Sequence, residues 1–227
     1  MDKNILGTSG AGIFLFFFYV SSGQINVSAG PTLAYPELIT NHKILNSGQI
    51  SAGLRVAAAW QKEDLVLFPG IEASYGGVRL PLQSSGNNVA ALNMRYASLM
   101  INEYFTPDNM NRLLLYGGIG GTYMRSKGAA PSGNETRETT IDSTANITHF
   151  FPAINLGVEY TAYTTGNWSV IAGLCLKYTA LLAGQNTYYI TVSKPGNKIY
   201  DYTSSLTGNL VTPGLYLSVH YKIGGEK

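Results

Sequence analysis

Three histidines and one cysteine are the side chains of this chain with the widest chemical scope, because imidazole and thiolate bind metals and move protons. They are His42, His149, His220 and Cys175. No two histidines have the close spacing of a helical metal motif, and one cysteine forms neither an internal disulfide nor a cysteine-rich zinc site. The sequence therefore predicts no metal site and no cofactor.

A nucleophilic site would require a serine beside a histidine and an acid. His149 could supply the base, with serine or glutamate residues of the polar segment 126–146 as its partners. No motif fixes such a constellation, so we predict no catalytic residue and no enzymatic activity.

Seven charged or titratable side chains lie on the same strand face as small or polar residues, which occupy the positions two residues before or after them. If the fold encloses this face, each charge needs a partner, because an unpaired buried charge is too costly to keep. We expect Glu72 to pair with Arg55 and Arg95, and Glu159 to pair with Lys222 or His220. The alternative is that these charges line an ion path. The full set is Arg55, Glu72, Arg95, Glu159, Lys177, His220 and Lys222.

Charge is scarce in the chain as a whole. Of 227 residues, 15 are Lys or Arg and 13 are Asp or Glu, so 12% are charged, about half the roughly 25% of a soluble domain. Gly, with 26 residues, and Tyr, with 16, are abundant instead. A net charge of +2, with basic residues scattered among acidic ones, gives no reason to expect nucleic acid as a partner.

The first 23 residues have the pattern of a signal peptide. The stretch from Ile5 to Val20 is apolar and follows Lys3, and it is shorter than the roughly 20 residues that a spanning helix needs. Ser21-Ser22-Gly23 then supplies the small residues that a signal peptidase requires. We therefore predict cleavage after Gly23 and export of a domain of residues 24–227. An uncleaved anchor helix is the alternative.

Beyond residue 23 the dominant hydrophobic period is two, which predicts strands rather than helices. One face of each strand is large and apolar, as at Leu174, and the other is small or polar. Eight such strands can be counted. The stretch from Val89 to Phe105 fits one phase up to Tyr96 and another from Leu99, which predicts a bulge near Ala97.

Short and long connections alternate between the predicted strands, as in an up-and-down antiparallel barrel with turns at one end and loops at the other. An eight-stranded barrel is just wide enough for side chains to fill it. Large apolar faces would overfill it, so they must point outwards, where lipid is the solvent that suits them. We predict an all-β, eight-stranded antiparallel up-and-down transmembrane β-barrel with a filled polar lumen, placed in a bacterial outer membrane with its turns in the periplasm.

Aromatic residues bracket the outward faces. Phe150 and Tyr160 are ten residues apart, as are Trp168 and Tyr178, and a tilted strand of this length spans about 24 Å, close to the apolar thickness of an outer membrane. We predict two aromatic girdles. The girdle at the loop end comprises Tyr35, Tyr75, Tyr123, Phe150 and Tyr178, and the girdle at the turn end comprises Trp60, Tyr160, Trp168 and Tyr221.

A family resemblance rests on repeated hairpin patterns. Residues 155–160, the turn from Thr164 to Trp168 and residues 171–174 resemble the hairpins of OmpA-like outer-membrane β-barrel domains. The last strand, with Thr212, Gly214, Leu217 and Val219, is similar to the assembly signal of such barrels. The resemblance implies partners in outer-membrane lipid and lipopolysaccharide, in the barrel-assembly machinery, and in another outer-membrane protein, such as the secretion complexes served by PorT-like barrels.

The last long connection contains four tyrosines that we expect on an exposed hairpin around residues 194–197. Tyrosine offers a large contact surface at low entropic cost, so these residues are candidates for a surface contact; the alternative is that they stiffen the loop by packing together. They are Tyr188, Tyr189, Tyr200 and Tyr202. Segment 126–146 is polar, and we expect it to be mobile. The expected role is structural or surface interaction, with a lipid-modifying enzyme similar to lipid A deacylases, or a small channel, as alternatives.

Overall fold

Most of the described part of the chain is in β-strands. The computed structural model describes residues 24–39, 49–61, 66–84, 87–107, 110, 112–131, 140–146, 148–181, 187–194, 197–205 and 208–224. The predicted signal peptide of residues 1–23 and His42 lie outside these residues. No helix long and apolar enough to cross a membrane occurs among the described residues.

Twelve strands occur within the described ranges. They are β1 (Gln24–Ala34), β2 (Glu37–Ile39), β3 (Ser51–Gln61), β4 (Leu67–Ser84), β5 (Asn87–Phe105), β6 (Leu113–Pro131), β7 (Thr140–Asn146), β8 (Thr148–Thr165), β9 (Trp168–Leu181), β10 (Thr187–Lys194), β11 (Asn197–Ser205) and β12 (Gly208–Ile223).

Eight of these strands close into an antiparallel barrel in the order β1-β3-β4-β5-β6-β8-β9-β12. Each barrel strand pairs with the next one along the chain, and β12 pairs with β1, with Ile25 opposite Ile223. Closure leaves no unpaired sheet edge in the barrel wall. The prediction of an all-β, eight-stranded antiparallel up-and-down barrel is confirmed.

Two smaller features accompany the barrel. Strand β2 adds to the loop-side part of β12, and β7, β10 and β11 form a separate three-stranded sheet. Strands β10 and β11 pair as the predicted hairpin, with Ile190 opposite Tyr202. The loop predicted over residues 126–146 is wrong in its bounds, because β6 runs on to Pro131 and β7 occupies Thr140–Asn146.

The two ends of the barrel differ. Strands β8 and β9 are joined by a two-residue turn in which Gly166 has a φ of 55°, a conformation that glycine adopts without strain and that suits a tight hairpin. We call this the turn end. The opposite end, where β4 and β5 meet near Ser84 and Asn87, is the loop end.

Side chains alternate between the lumen and the outside, as the sequence pattern predicts. On the outer face Leu174, Leu215 and Ile119 are 53%, 56% and 69% exposed, although all are apolar. On the luminal face Asn102 and Ser218 are at most 2% exposed, although both are polar. A belt of exposed apolar side chains around a closed barrel would aggregate in water and matches a hydrocarbon environment.

Strand β5 departs from the predicted phase. Its register with β6 shifts between Leu92 and Met94, and from there one uninterrupted phase runs to Phe105. Met94 and Tyr96 are therefore luminal and buried, whereas Leu99 is 61% exposed. The predicted bulge near Ala97 is wrong, because Met94 and Tyr96 belong to the interior despite their apolar character.

Candidate functional site

The lumen contains buried ion pairs and side-chain hydrogen bonds that connect several strands. Its centre is Arg55 on β3, which is 2% exposed. Arg55 Nε donates a hydrogen bond of 3.0 Å to Glu72 Oε2 on the neighbouring strand β4. Arg55 Nη2 lies 2.9 Å from Glu159 Oε1 on β8. Because β3 and β8 are not adjacent in the barrel, this arginine bridges two separate parts of the wall through the interior.

Further polar groups complete these two ion pairs. Asn102 Nδ2 on β5 donates to Glu72 Oε2 at 3.3 Å, and Tyr216 Oη on β12 donates to Glu159 Oε1 at 2.8 Å. Buried charges persist only when paired and hydrogen-bonded, and here each carboxylate has both an arginine contact and a neutral donor. We call Arg55, Glu72, Asn102, Glu159 and Tyr216 the Arg55 cluster; its members come from five strands.

Two tyrosine rings pack against the guanidinium of the Arg55 cluster. The Arg55 Cζ atom lies 4.3 Å from the ring centre of Tyr216 and 5.5 Å from that of Tyr116, which is the geometry of cation–π attraction. The two tyrosine hydroxyls are 3.3 Å apart. Tyr104 continues the aromatic layer, its ring centre 5.4 Å from that of Tyr116.

Glycines make room for these luminal rings. Tyr116 is paired with Gly157 across β6 and β8, and Tyr216 is paired with Gly173 across β9 and β12. A Cβ atom at either glycine would collide with the ring of the tyrosine opposite. The abundance of glycine is thus tied to the packing of aromatic side chains inside a narrow barrel.

Lys177 on β9 forms a second polar contact, on the loop side of the Arg55 cluster. Its Nζ donates to Ser74 Oγ at 2.7 Å and to Ser98 Oγ at 2.9 Å, and it lies 5.3 Å from the ring centre of Tyr96. A cavity of about 40 Å³ lies beside it, lined by polar groups that include Asn155. This volume holds only a few water molecules, at roughly 10–15 Å³ each.

Towards the loop end the luminal face becomes apolar. Side chains from five strands are buried there, each at most 3% exposed. They are Val78, Leu80, Met94, Met124, Phe151 and Leu210. This apolar layer departs from the sequence prediction of a lumen filled mainly by small and polar residues.

Towards the turn end the lumen opens into a cavity of about 200 Å³. Its lining includes His220 and Lys222 of β12, together with Arg112. The cavity shares no lining residue with the 40 Å³ cavity. Glu159, Tyr116 and Tyr216 line neither cavity, and the contacts of the Arg55 cluster lie between the two.

Several predicted lumen residues are placed differently. Arg95 is exposed on the outer face, so the prediction that it lies in the lumen and pairs with Glu72 is wrong, and the shifted phase of β5 is the reason. Glu159 contacts Arg55 and Tyr216 rather than Lys222 or His220. The remaining predicted lumen residues do face inward: Arg55, Glu72, Glu159, Lys177, His220 and Lys222.

The luminal tyrosines are not among the candidate site residues predicted from the sequence. Tyr104 and Tyr116 are 2% and 5% exposed, deep in the interior, yet aromatic residues in strands are usually interpreted as outward or interfacial. A usable signal exists for Tyr216, because it falls at the small and polar positions of β12, between Gly214 and Ser218.

The residues predicted for the girdles are exposed or half-buried, and several of them are neighbours in the strand register. Tyr75, Tyr123 and Phe150 are exposed on β4, β6 and β8, and the register aligns them: Tyr75 and Tyr123 flank Ala97, and Tyr123 is opposite Phe150. At the turn end the rings of Trp168 and Tyr221 are 4.5 Å apart. The others are Tyr35 and Tyr178 on the loop side and Trp60 and Tyr160 on the turn side.

Among its described residues, the structure does not bring together two groups of predicted residues, the loop tyrosines and the possible partners of His149. The side chains of Tyr188, Tyr189, Tyr200 and Tyr202 lie outside the described part, although their strands are paired. His149 is partly buried, with its ring 6.3 Å from that of Phe151. Glu135 and Glu138, which could serve as its acid, lie outside the described residues. Among the described residues, no cluster of three His, Cys, Asp or Glu side chains could hold a metal ion.

No family model matches the chain, and no curated protein matches it in sequence. Among solved structures, the outer membrane protein OprG of Pseudomonas aeruginosa matches with a TM-score of 0.50 and 13% identity, over 90% of this chain and 97% of that one. The attachment invasion locus protein Ail of Yersinia pestis matches with a TM-score of 0.45 and 14% identity, over 89% and 99%. Neisserial surface protein A matches with a TM-score of 0.45 and 14% identity, over 88% and 99%. The closed eight-stranded register and the match to OprG show that the chain has the fold of an outer-membrane β-barrel.

Proposed function

We propose that the protein is an integral barrel of the bacterial outer membrane, of the OmpA-like kind, with a closed lumen and a structural or surface-interaction role. Its apolar belt and its fold support the location, and the short β8–β9 turn supports a periplasmic position for the turn end. A lipid-modifying enzyme similar to lipid A deacylases is the alternative to this role.

The contacts of the Arg55 cluster are the observation that supports the proposal of a closed lumen. Arg55 is held at once by Glu72 and Glu159, and Tyr116 and Tyr216 pack against it. An ion would have to displace a paired guanidinium from two buried carboxylates, which is energetically costly. The apolar layer around Leu80 and Met124 adds a second barrier on the loop side.

The proposed partners follow from the surfaces that the barrel exposes. Outer-membrane lipid and lipopolysaccharide would surround the apolar belt. The barrel-assembly machinery would recognise the last strand. In β12 the proposed assembly signal places Leu217 and Val219 on the outer face, 55% and 51% exposed. Another outer-membrane protein would meet the loop end, where β10 and β11 form their hairpin.

Gel mobility of the detergent-extracted protein tests the membrane proposal. The unheated protein is expected to migrate faster than the boiled protein, because a closed barrel with paired strands resists unfolding by detergent until it is heated. The control is the same preparation denatured in urea, which should run with the boiled form. A protein that stays monomeric and soluble without detergent would contradict the proposal.

Planar-bilayer recording tests the closed lumen. The reconstituted barrel is expected to show no stable conductance, because the ion pairs of the Arg55 cluster cross the lumen from β3 to β4 and β8. A double variant, Tyr116→Ala with Tyr216→Ala, removes two rings that pack on Arg55 and is expected to admit measurable current. Stable nanosiemens steps from the unmodified protein would favour the small-channel alternative instead.

A further inference from the structure

Three arginines form a cluster on the outer face of neighbouring strands. Arg79 lies on β4, Arg95 on β5 and Arg125 on β6. Their immediate neighbours Val78, Met94 and Met124 are luminal and buried, so the alternation of the strands directs the arginines outward. Arg95 and Arg125 are exposed. We call these residues the outer arginine cluster.

The strand register brings the three positions together. Arg95 is directly opposite Arg125, and Arg79 is opposite Asn93, two residues before Arg95. Directly opposed residues have Cβ atoms about 4.5–5.5 Å apart, and diagonal neighbours are about 7–8 Å apart, within reach of long side chains. Three guanidinium groups can therefore converge on one ligand.

The cluster has no internal compensation for its charge. Like charges directly opposite one another destabilise a strand pair. The other cross-strand partners of the three arginines are Gln49, Gly77, Asn93 and Thr148, and none of these is acidic. Within the described residues no ion pair involves the cluster, and Arg79 Nε is buried without a hydrogen-bond partner. An anion bound from outside would remove this repulsion.

The height of the cluster on the barrel indicates where that anion lies. In the register, Ala97 falls between Tyr75 and Tyr123, and Arg95 is two residues closer to the loop end. On a tilted strand two residues amount to about 5 Å. The arginines thus lie just outside the level of the aromatic rings, which is where lipid headgroups begin.

The surface below the cluster suits acyl chains. Leu99, Ile101 and Ile119 continue along the same outer face towards the turn end and are 61%, 64% and 69% exposed. A ligand with phosphate at its head and hydrocarbon below would meet the arginines and this apolar surface together. Arginine is suited to such a head, because its planar group binds phosphate through two parallel hydrogen bonds.

We propose that the outer arginine cluster binds the phosphate groups of a phosphorylated glycolipid in the outer leaflet, of the lipid A class. This inference rests on the proposed membrane location and adds a specific site to it. The lipid, rather than a soluble anion, is the occupant, because the charged site continues into the exposed apolar surface.

The test measures lipid A binding to the purified full-length protein in phosphatidylcholine nanodiscs. The double variant Arg95→Gln with Arg125→Gln is expected to bind lipid A about 30-fold more weakly than the unmodified protein, since each basic group near an anionic lipid contributes roughly a factor of five. Arg112→Gln is the matched control, because Arg112 is exposed but lies at the turn end. It should bind as the unmodified protein does.

Two further measurements complete the test. The first asks whether the bound phosphate belongs to a lipid or to a soluble anion, and the second asks whether the variant barrel is folded. Dephosphorylated lipid A should bind weakly to every form, and inorganic phosphate should not compete; effective competition by inorganic phosphate would overturn the assignment to a lipid. Heat-modifiable mobility of the double variant shows that it is folded, and equal lipid A affinity of this folded variant and the unmodified protein would refute the site. A barrel that does not insert into phosphatidylcholine at all would refute the membrane location instead.

Discussion

Replacing Arg55 by methionine is expected to lower the free energy of unfolding of the barrel by about 3–5 kcal/mol. The substitution removes one cation from contact with two buried carboxylates, Glu72 and Glu159, which are 4% and 6% exposed. Each would retain only a neutral donor, Asn102 or Tyr216. The change also removes the cation packed against Tyr116 and Tyr216. An uncompensated pair of charges in the lumen is the main cost.

Urea titration of the barrel folded into phosphatidylcholine vesicles, followed by gel mobility, measures this loss. The triple variant Arg55→Met, Glu72→Gln, Glu159→Gln is expected to recover much of it, because the charges disappear together. Arg112→Met is the matched control and should change stability by no more than about 0.5 kcal/mol, since Arg112 is exposed. If Arg55→Met were as stable as the unmodified protein, the Arg55 cluster would not be holding the lumen together.

In the proposed closed lumen, the Arg55 cluster contributes both to stability and to obstruction. The ion pairs that connect β3, β4 and β8 through the interior are the same ones that we propose obstruct the passage. A wide pore could not satisfy buried charges in this way, because the opposing walls would be too far apart for one side chain to reach both. The narrowness of eight strands therefore explains both properties.

The barrel itself was predictable because the two faces of its wall meet different environments. Lipid outside and a narrow interior impose opposite demands on alternate residues, and strands such as β9 carry that alternation in plain form. The contact between Arg55 and Glu72 was predictable as well, because β3 and β4 are consecutive and both residues fall on the polar face. Local periodicity and chain order suffice for such neighbours.

Contacts across the lumen were not predictable in the same way. Glu159 reaches Arg55 through the interior, and no feature of either strand specifies which luminal residues from distant strands meet. The error at Arg95 has a different origin. Met94 and Tyr96 are apolar residues inside the barrel, so hydrophobicity indicated the wrong face of β5. A partly apolar lumen weakens the rule that apolar means outward.

Replacing Leu174 by arginine is expected to block assembly or to destabilise the barrel by about 2–4 kcal/mol, the cost of an arginine facing the middle of the bilayer. Leu174 is 53% exposed on the outer face of β9, between Trp168 and Tyr178 of the same strand, and it lies opposite Leu215 and Val158 on the adjacent strands. The fraction of protein with heat-modifiable mobility after refolding into vesicles measures the effect.

Thr165→Arg is the control, because Thr165 is exposed beside the β8–β9 turn, where an arginine can meet water. Equal refolding of the two variants would mean that the face carrying Leu174 does not meet hydrocarbon.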